Sequence, residues 1–207
     1  MPVTTEMTSA RIYVYKLVVD NGGAPCVHRG VLSLAICKPK IRKAAAKNDF
    51  IVGLGGQRLG NRLIYAAKIT DKPTVGGYYE AEQYAGRPDR IYRNAGGAAI
   101  LRDSAKFHST GAQLAKDVGR RFEHADVLLS DDFVYFGSKR QQIDESRFPT
   151  VAAMLGRLRQ GHRVNHSTAV QSELEALIAE LWSLPTRSAV GRPSDQDCTL
   201  RCNQDRE

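Results

Sequence analysis

The first strong pattern along the chain is "ARIYVYKLVVD", where Tyr13 and Tyr15 alternate with Ile12 and Val14, the period of two that marks a strand. The turn cluster "DNGGAP" ends it, and a second apolar stretch, "GVLSLAIC", runs into "KPKIRKAAAKN". Pro39 suits the first turn of a helix there and the alanines favour its continuation. "DFIVGLGG" and "NRLIYAAKIT" read as two strands joined by a glycine-rich hairpin connection, giving the order strand, strand, helix, strand, strand. Between 76 and 122 the periodicity weakens; "PDRIYR" reads as a short strand, "STGAQLAKDVGRRF" as a helix, and the rest as long loops of functional character. "ADVLLS" and "DDFVYFG" read as a strand pair or one bent strand, and "FPTVAAMLGRLRQG" as a helix. A stronger helix begins at Thr168, paired with Gln171 in a capping box, with Val170, Leu174, Leu177, Ile178 and Leu181 as its apolar stripe and Pro185 beyond its end.

These elements predict an α+β fold: a mixed, curved β-sheet or small partly closed barrel flanked by helices, within one domain over 1–184 whose helical part covers about 147–184. Residues 185–207 have little to bury and are expected to form a flexible polar tail. Along "DVLLSDDFVYFG", Asp131 reads as a turn residue. Asp132 shares a face with Val134 and Phe136, while Phe133 and Tyr135 share the other, so the strand is expected to be central.

Composition adds little to this picture: 207 residues with 42% hydrophobic and 25% charged are those of an ordinary globular protein. No apolar run approaches the roughly 20 residues needed to cross a bilayer, and the expected location is the cytoplasm. Charge adds more. Thirty Lys and Arg against 22 Asp and Glu give +8, which favours a polyanionic partner such as DNA or a nucleotide.

The candidate chemistry starts from the basic helix, where Lys40, Lys43 and Lys47 share one face near Lys38 and Arg42, as a solvated face or a phosphate-contacting one. The glycines of "GLGGQRLGNR" miss both the dinucleotide and the phosphate-loop spacings and fit a hairpin turn, with Arg58 and Arg62 within reach of a phosphate. His162 and His166 with Cys198 and Cys202 make four zinc-compatible ligands, but at a cysteine spacing that argues against zinc; neither metal nor cofactor is expected. Cys26 near His28 and Cys37 beside Lys38 raise thiol catalysis, yet nothing local fixes their geometry, and inert thiols are the favoured reading. Asp89, Arg90, Tyr92, His108, Asp131, Asp132, Tyr135 and Phe136 are the residue types of a base-recognition pocket, set against a reading as internal ion pairs and core aromatics.

Together, "YVYKLVVDNGGAP", "GVLSLAICKPKIRKAAAKNDFIVGLGG", "RPDRIYR", "FH" and "VLLSDDFVYFG" resemble the successive blocks of the second nucleotide-modification-associated domain family, found in bacteria and their phages, over about residues 12 to 140. The first half is also similar in layout to PUA-like and EVE-like domains, which hold a flipped or modified base. The matching positions are Asp20, Pro25, Gly30, Cys37, Lys38, Pro39, Asp49, Gly53, Asp89, Arg90, Tyr92, His108, Ser130, Asp132, Tyr135, Phe136 and Gly137.

The resemblance implies a part in systems that modify DNA bases or handle modified nucleotides. The expected site binds a nucleotide or an extruded base: Lys38, Lys40 and Arg42 meet phosphate, Tyr92 and Tyr135 stack, and Asp89, Asp131 or Asp132 read a base edge. The rival is an enzyme for group transfer or hydrolysis in which His108 is the acid or base and Asp132 orients it. The plainest alternative is a non-catalytic partner-binding module.

Overall fold

The computed structural model describes residues 10–159, 161–185 and 187–195. Its strands are β1 (Ile12–Leu17), β2 (Cys26–His28), β3 (Val31–Leu34), β4 (Phe50–Gly55), β5 (Leu63–Lys68), β6 (Tyr92–Ala95), β7 (Ala98–Leu101), β8 (Leu128–Ser130), β9 (Asp132–Tyr135) and β10 (His162–Arg163). The α-helices are α1 (Pro39–Ala44), α2 (Gly77–Glu80), α3 (Gly111–Asp117), α4 (Pro149–Arg157) and α5 (Thr168–Trp182). The fold is α+β, and its main sheet is open and mixed, in the order β10-β1-β4-β5-β9. β1 and β4 run parallel from Ile12↔Phe50 to Leu17↔Gly55, and the other neighbours are antiparallel. A second antiparallel sheet has the order β2-β3-β8, and β6 and β7 form a hairpin.

The alternation in β1 is what separates the two cores. Ile12 and Val14 join Val52, Leu54, Val134 and Phe136 on the face covered by α4 and α5, where Leu174, Leu177, Ile178 and Leu181 are buried as the apolar stripe predicts. Tyr13 and Tyr15 face the other way, into a core shared with Leu32, Leu34 and Leu128 of the second sheet and Ile41 of α1. Tyr65 lies across Gly53, whose absent side chain makes room: a Cβ there would sit 2.0 Å from the ring. A third cluster, built from Tyr78, Tyr79, Tyr92, Val118 and Phe122, fastens the hairpin and α3 to the second sheet.

Several expectations shift. The segment 76–122 carries more than a short strand and a helix among its loops: α2, the β6–β7 hairpin and α3 pack around those tyrosines, and the strand expected at "PDRIYR" begins only at Tyr92. α1 ends at Ala44 despite the alanines beyond it, because the Asp49 carboxylate turns the chain by accepting from Ala46 N–H (2.9 Å). The cap of α5 is Ser167, whose side chain accepts from Val170 N–H. β8 and β9 belong to different sheets, with exposed Asp131 at the crossing between them.

β9 is an edge strand, not a central one; its two faces are buried in the two cores, Val134 in one and Phe133 and Tyr135 in the other, and the chain beyond α5 covers its free edge. Tyr135 N–H donates to Ser188 O and Val190 N–H to Tyr135 O, and Gly191 passes so close that a Cβ would lie 2.1 Å from Phe136 O. Residues 187–195 are therefore docked where a flexible tail is expected from sequence. Their lock is Asp195, which accepts from Asp20 N–H (2.8 Å) and pairs with Arg58 (2.6 Å), so Arg58 is engaged in an ion pair. Asp20 in turn accepts from Ser194 N–H and from Tyr135 OH.

Arg58 holds the Asp195 carboxyl below the usual carboxylate range. A depressed value contributes stability that is present above the unfolded pKa of about 3.9 and is lost as pH falls through the folded value. The share of tail docking that Asp195 supplies, read by limited proteolysis, is thus expected to hold from pH 7 to pH 5 and to be lost only in stronger acid, whereas burial pushes the neighbouring Asp20 carboxyl up. Asp195→Asn should raise cleavage within 187–195 several-fold at every pH in that range.

Candidate active site

The turn from β3 into α1 carries Cys37 and Lys38 with φ of 57° and 45°, two consecutive non-glycine residues in the left-handed region. Lys38 also precedes Pro39, which ordinarily excludes helical conformations at the residue before it. A turn this sharp costs on the order of 1–3 kcal/mol per residue and persists only where its surroundings over-determine it.

Arg42 is what over-determines it. The side chain is 0% exposed, and its guanidinium is spread over main-chain carbonyls: Nε donates to Cys37 O (2.8 Å), Nη1 to Asp126 O (2.6 Å) and His124 O (3.3 Å), and Nη2 to Asp117 O. One cation thereby ties the Cys37 turn to the end of α3.

Asp117, the last residue of α3, closes the arrangement. Its Oδ1 accepts from Cys37 N–H (2.8 Å), and its Oδ2 accepts from Tyr92 OH (2.8 Å) and from His108 Nδ1. A carboxylate only accepts, so Nδ1 carries a proton and Nε2 is the nitrogen turned towards the thiol. That nitrogen is 3.4 Å from Cys37 Sγ. His108 reaches this place from the loop after β7, three residues before α3. The start of α3 is fixed by the capping box of Thr110 and Gln113, with Gln113 Oε1 also accepting from Ser109 N–H. Burial and the Asp117 carboxylate push the Tyr92 hydroxyl far above the usual phenol range, so it remains a proton donor to Asp117.

Thiol, imidazole and carboxylate in this order form the nucleophile, base and orienting group of a covalent catalyst. They line a cavity of about 440 Å³, within the usual span for small-molecule sites, together with Lys38, Lys40, Lys116, Gln113 and His162. Its charge is legible in His162, held below the usual imidazole range by burial and by Lys40 and Lys38. Lys38 Nζ also lies 4.8 Å from the centre of the Tyr15 ring. Cys26 is a contrast: burial and nearby Asp89 push its thiol well up, and it does not line this cavity.

Of the residues expected from sequence, Lys38, Lys40 and His108 meet at this cavity. Arg42 does not face a phosphate; it is wholly internal. Asp132 does not orient His108: its carboxylate accepts from Trp182 Nε1 (3.1 Å) and pairs with Arg187 (2.9 Å), fastening the end of α5 to β9. Asp89 is 0% exposed and accepts from Ser33 Oγ and Tyr78 OH beside Arg87. Tyr92, Tyr135 and Phe136 are buried, with the two hydroxyls donated to Asp117 and Asp20, so these rings serve the core. Asp131 is exposed and apart from the cavity, and Arg90 donates twice to Tyr79 O in a different hollow. Two residues enter that the sequence reading leaves out of its site, Asp117 and Cys37. For Asp117 one signal exists, since a carboxylate in the last turn of a helix opposes the helix dipole and asks for a local reason.

Among the described residues no three His, Cys, Asp or Glu side chains could together hold a metal ion; His166 Nε2 lies 2.8 Å from Ile12 O, and Cys198 and Cys202 lie outside the described residues. Nor is any described helix long and apolar enough to cross a membrane. No curated protein and no solved structure matches the chain. The profile of nucleotide modification associated domain 2 matches residues 9–199, a span that holds every residue of the site just described. The chain belongs to the second nucleotide-modification-associated domain family.

Proposed function

We propose that the protein is a thiol-dependent enzyme of nucleotide modification that carries out acyl transfer or hydrolysis on an anionic, nucleotide-derived substrate. The observation that carries this reading is the 3.4 Å approach of Cys37 Sγ to His108 Nε2 while Nδ1 is bound to buried Asp117. His108 takes the thiol proton as Sγ attacks a carbonyl carbon. It returns that proton to the departing oxygen or nitrogen, leaving a thioester on Cys37. Water or an amine, deprotonated by the same imidazole, then attacks the thioester and releases the thiol. Lys38, Lys40 and Lys116 give the cavity the sign that suits a phosphate or carboxylate on the substrate.

Binding without chemistry is the weaker reading. It asks for stacking and base-reading groups at the cavity, whereas Tyr92, Tyr135 and Asp89 are turned into the core. The test is mass spectrometry of nucleosides from digested DNA and of nucleotide pools, taken from cells making the native protein, Cys37→Ser or His108→Ala. A nucleoside or nucleotide whose level changes with the native protein and reverts in both variants is expected; three indistinguishable profiles would sink the enzymatic reading.

A further inference from the structure

Beside the β6–β7 hairpin, a second concentration of charge has no part in the thiol site. Arg90, Arg93 and Arg102 line a hollow of about 560 Å³, and Arg90 and Arg102 also line an adjoining one of about 400 Å³ that includes Lys106. The order Arg93, Arg90 and Arg102, Lys106 thus runs across two hollows joined by the middle pair. Among the described residues none of these four cations has a carboxylate within ion-pair distance.

The acids nearby offset them only in part and form no ion pair with them: Glu80 lines the first hollow, bonded to Asn94 Nδ2 (2.7 Å), Glu82 acts on Arg102 more weakly than Arg90 and Arg93 do, and Asp103 lines neither hollow. Two of the guanidinium groups are held in place before anything binds, Arg90 by two bonds to Tyr79 O and Arg102 by Nε to Tyr92 O (3.1 Å). Arg90 and Arg93 also depress the Arg102 guanidinium, second to burial, the mark of like charges within reach of one another.

Holding four cations close together with fewer counter-charges is unfavourable in the protein alone and becomes favourable against a polyanion. A lone phosphate would satisfy one hollow; a row across two suits a ligand with charges spaced regularly along a line, as a nucleic-acid strand has one for every 3.4 Å or so of its axis. We propose that Arg93, Arg90, Arg102 and Lys106 form a docking strip for the phosphodiester backbone of a nucleic-acid strand. The strip stands on its own observations and does not depend on the thiol reading. The loop after β7 carries Lys106 to the strip and His108 to the thiol site, so a docked strand would lie beside the segment that supplies the base.

Fluorescence anisotropy with a labelled DNA oligonucleotide, single-stranded or duplex, tests the strip. The native protein should bind in about 50 mM salt and weaken steeply as salt rises, while Arg93→Ala with Arg102→Gln should lose tenfold or more in affinity and lower the slope of log K against log salt by about 2. Arg93 is exposed, so Arg93→Ala alone keeps the test valid if the double variant misfolds, with an expected slope change of about 1. Lack of binding at low salt, an unchanged slope, or displacement by a mononucleotide as readily as by unlabelled oligonucleotide would overturn the proposal. Iodoacetamide labelling of Cys37, measured in parallel, is expected to be unaffected by these variants, which separates failure of the strip from failure of the thiol site.

Discussion

Arg42→Ala is expected to lower the stability of the protein by about 3–5 kcal/mol, the largest loss for any single polar side chain here. Truncation removes the donors that serve the carbonyls of Cys37, Asp117, His124 and Asp126 and leaves an arginine-sized space where the side chain is 0% exposed. In a chain of this size that corresponds to a fall of roughly 6–20 °C in Tm. Arg42→Lys should recover less than half of it, because an ammonium carries the charge but cannot fork towards carbonyls on several segments. If the alanine variant melted within about 2 °C of the native protein, the carbonyl clamp would not be what holds the strained turn at Cys37.

Asp117→Asn is expected to lower turnover about 10³- to 10⁴-fold, by analogy with the loss when a triad carboxylate becomes an amide. The native carboxylate serves Cys37 N–H with one oxygen and Tyr92 OH and His108 Nδ1 with the other. An amide has only one oxygen. Turned one way it loses the Cys37 contact; turned the other, it presents N–H to the imidazole and selects the tautomer with the proton on Nε2, facing the thiol. The stability cost of losing one such bond is about 1–3 kcal/mol, so the variant should remain folded while the product detected by mass spectrometry disappears.

What the sequence makes legible follows from the range of the forces involved. β1, β4, β5 and α5 are set by periodicity within about a dozen residues, and the glycine connection between β4 and β5 is the turn its composition suggests. The thiol site is not local. Cys37 and Asp117 are 80 positions apart, Cys37 and His108 are 71 apart, and neither pairing leaves a trace in the spacing of apolar residues. His108 stands out in sequence as a polar residue set among aromatics and through the family resemblance, whereas Asp117 is marked only by its place in the last turn of a helix.

The acidic pair in "DVLLSDDFVYFG" shows the same limit from the other side. Alternation correctly sets Asp132 on the face of Val134 and Phe136, but its partners, Trp182 and Arg187, come from the far end of the chain. For the same reason β9 looks central in sequence: each of its faces meets a core, and its alternation does not show that its free edge is covered by residues 187–195, which are too polar to be read as a structural element.

The most direct test of the thiol site is the rate of iodoacetamide alkylation at Cys37 against pH, followed by peptide mass spectrometry so that Cys26 is scored separately. With His108 accepting the thiol proton, Cys37 should alkylate at pH 6 at no less than about a tenth of its rate at pH 8.5, Cys26 should remain unlabelled, and His108→Ala should abolish the advantage at low pH. An ordinary thiol loses more than about a hundredfold over that interval. A native Cys37 that falls just as steeply, on a curve superimposable on that of His108→Ala, would contradict the assignment of Cys37, His108 and Asp117 as a catalytic unit.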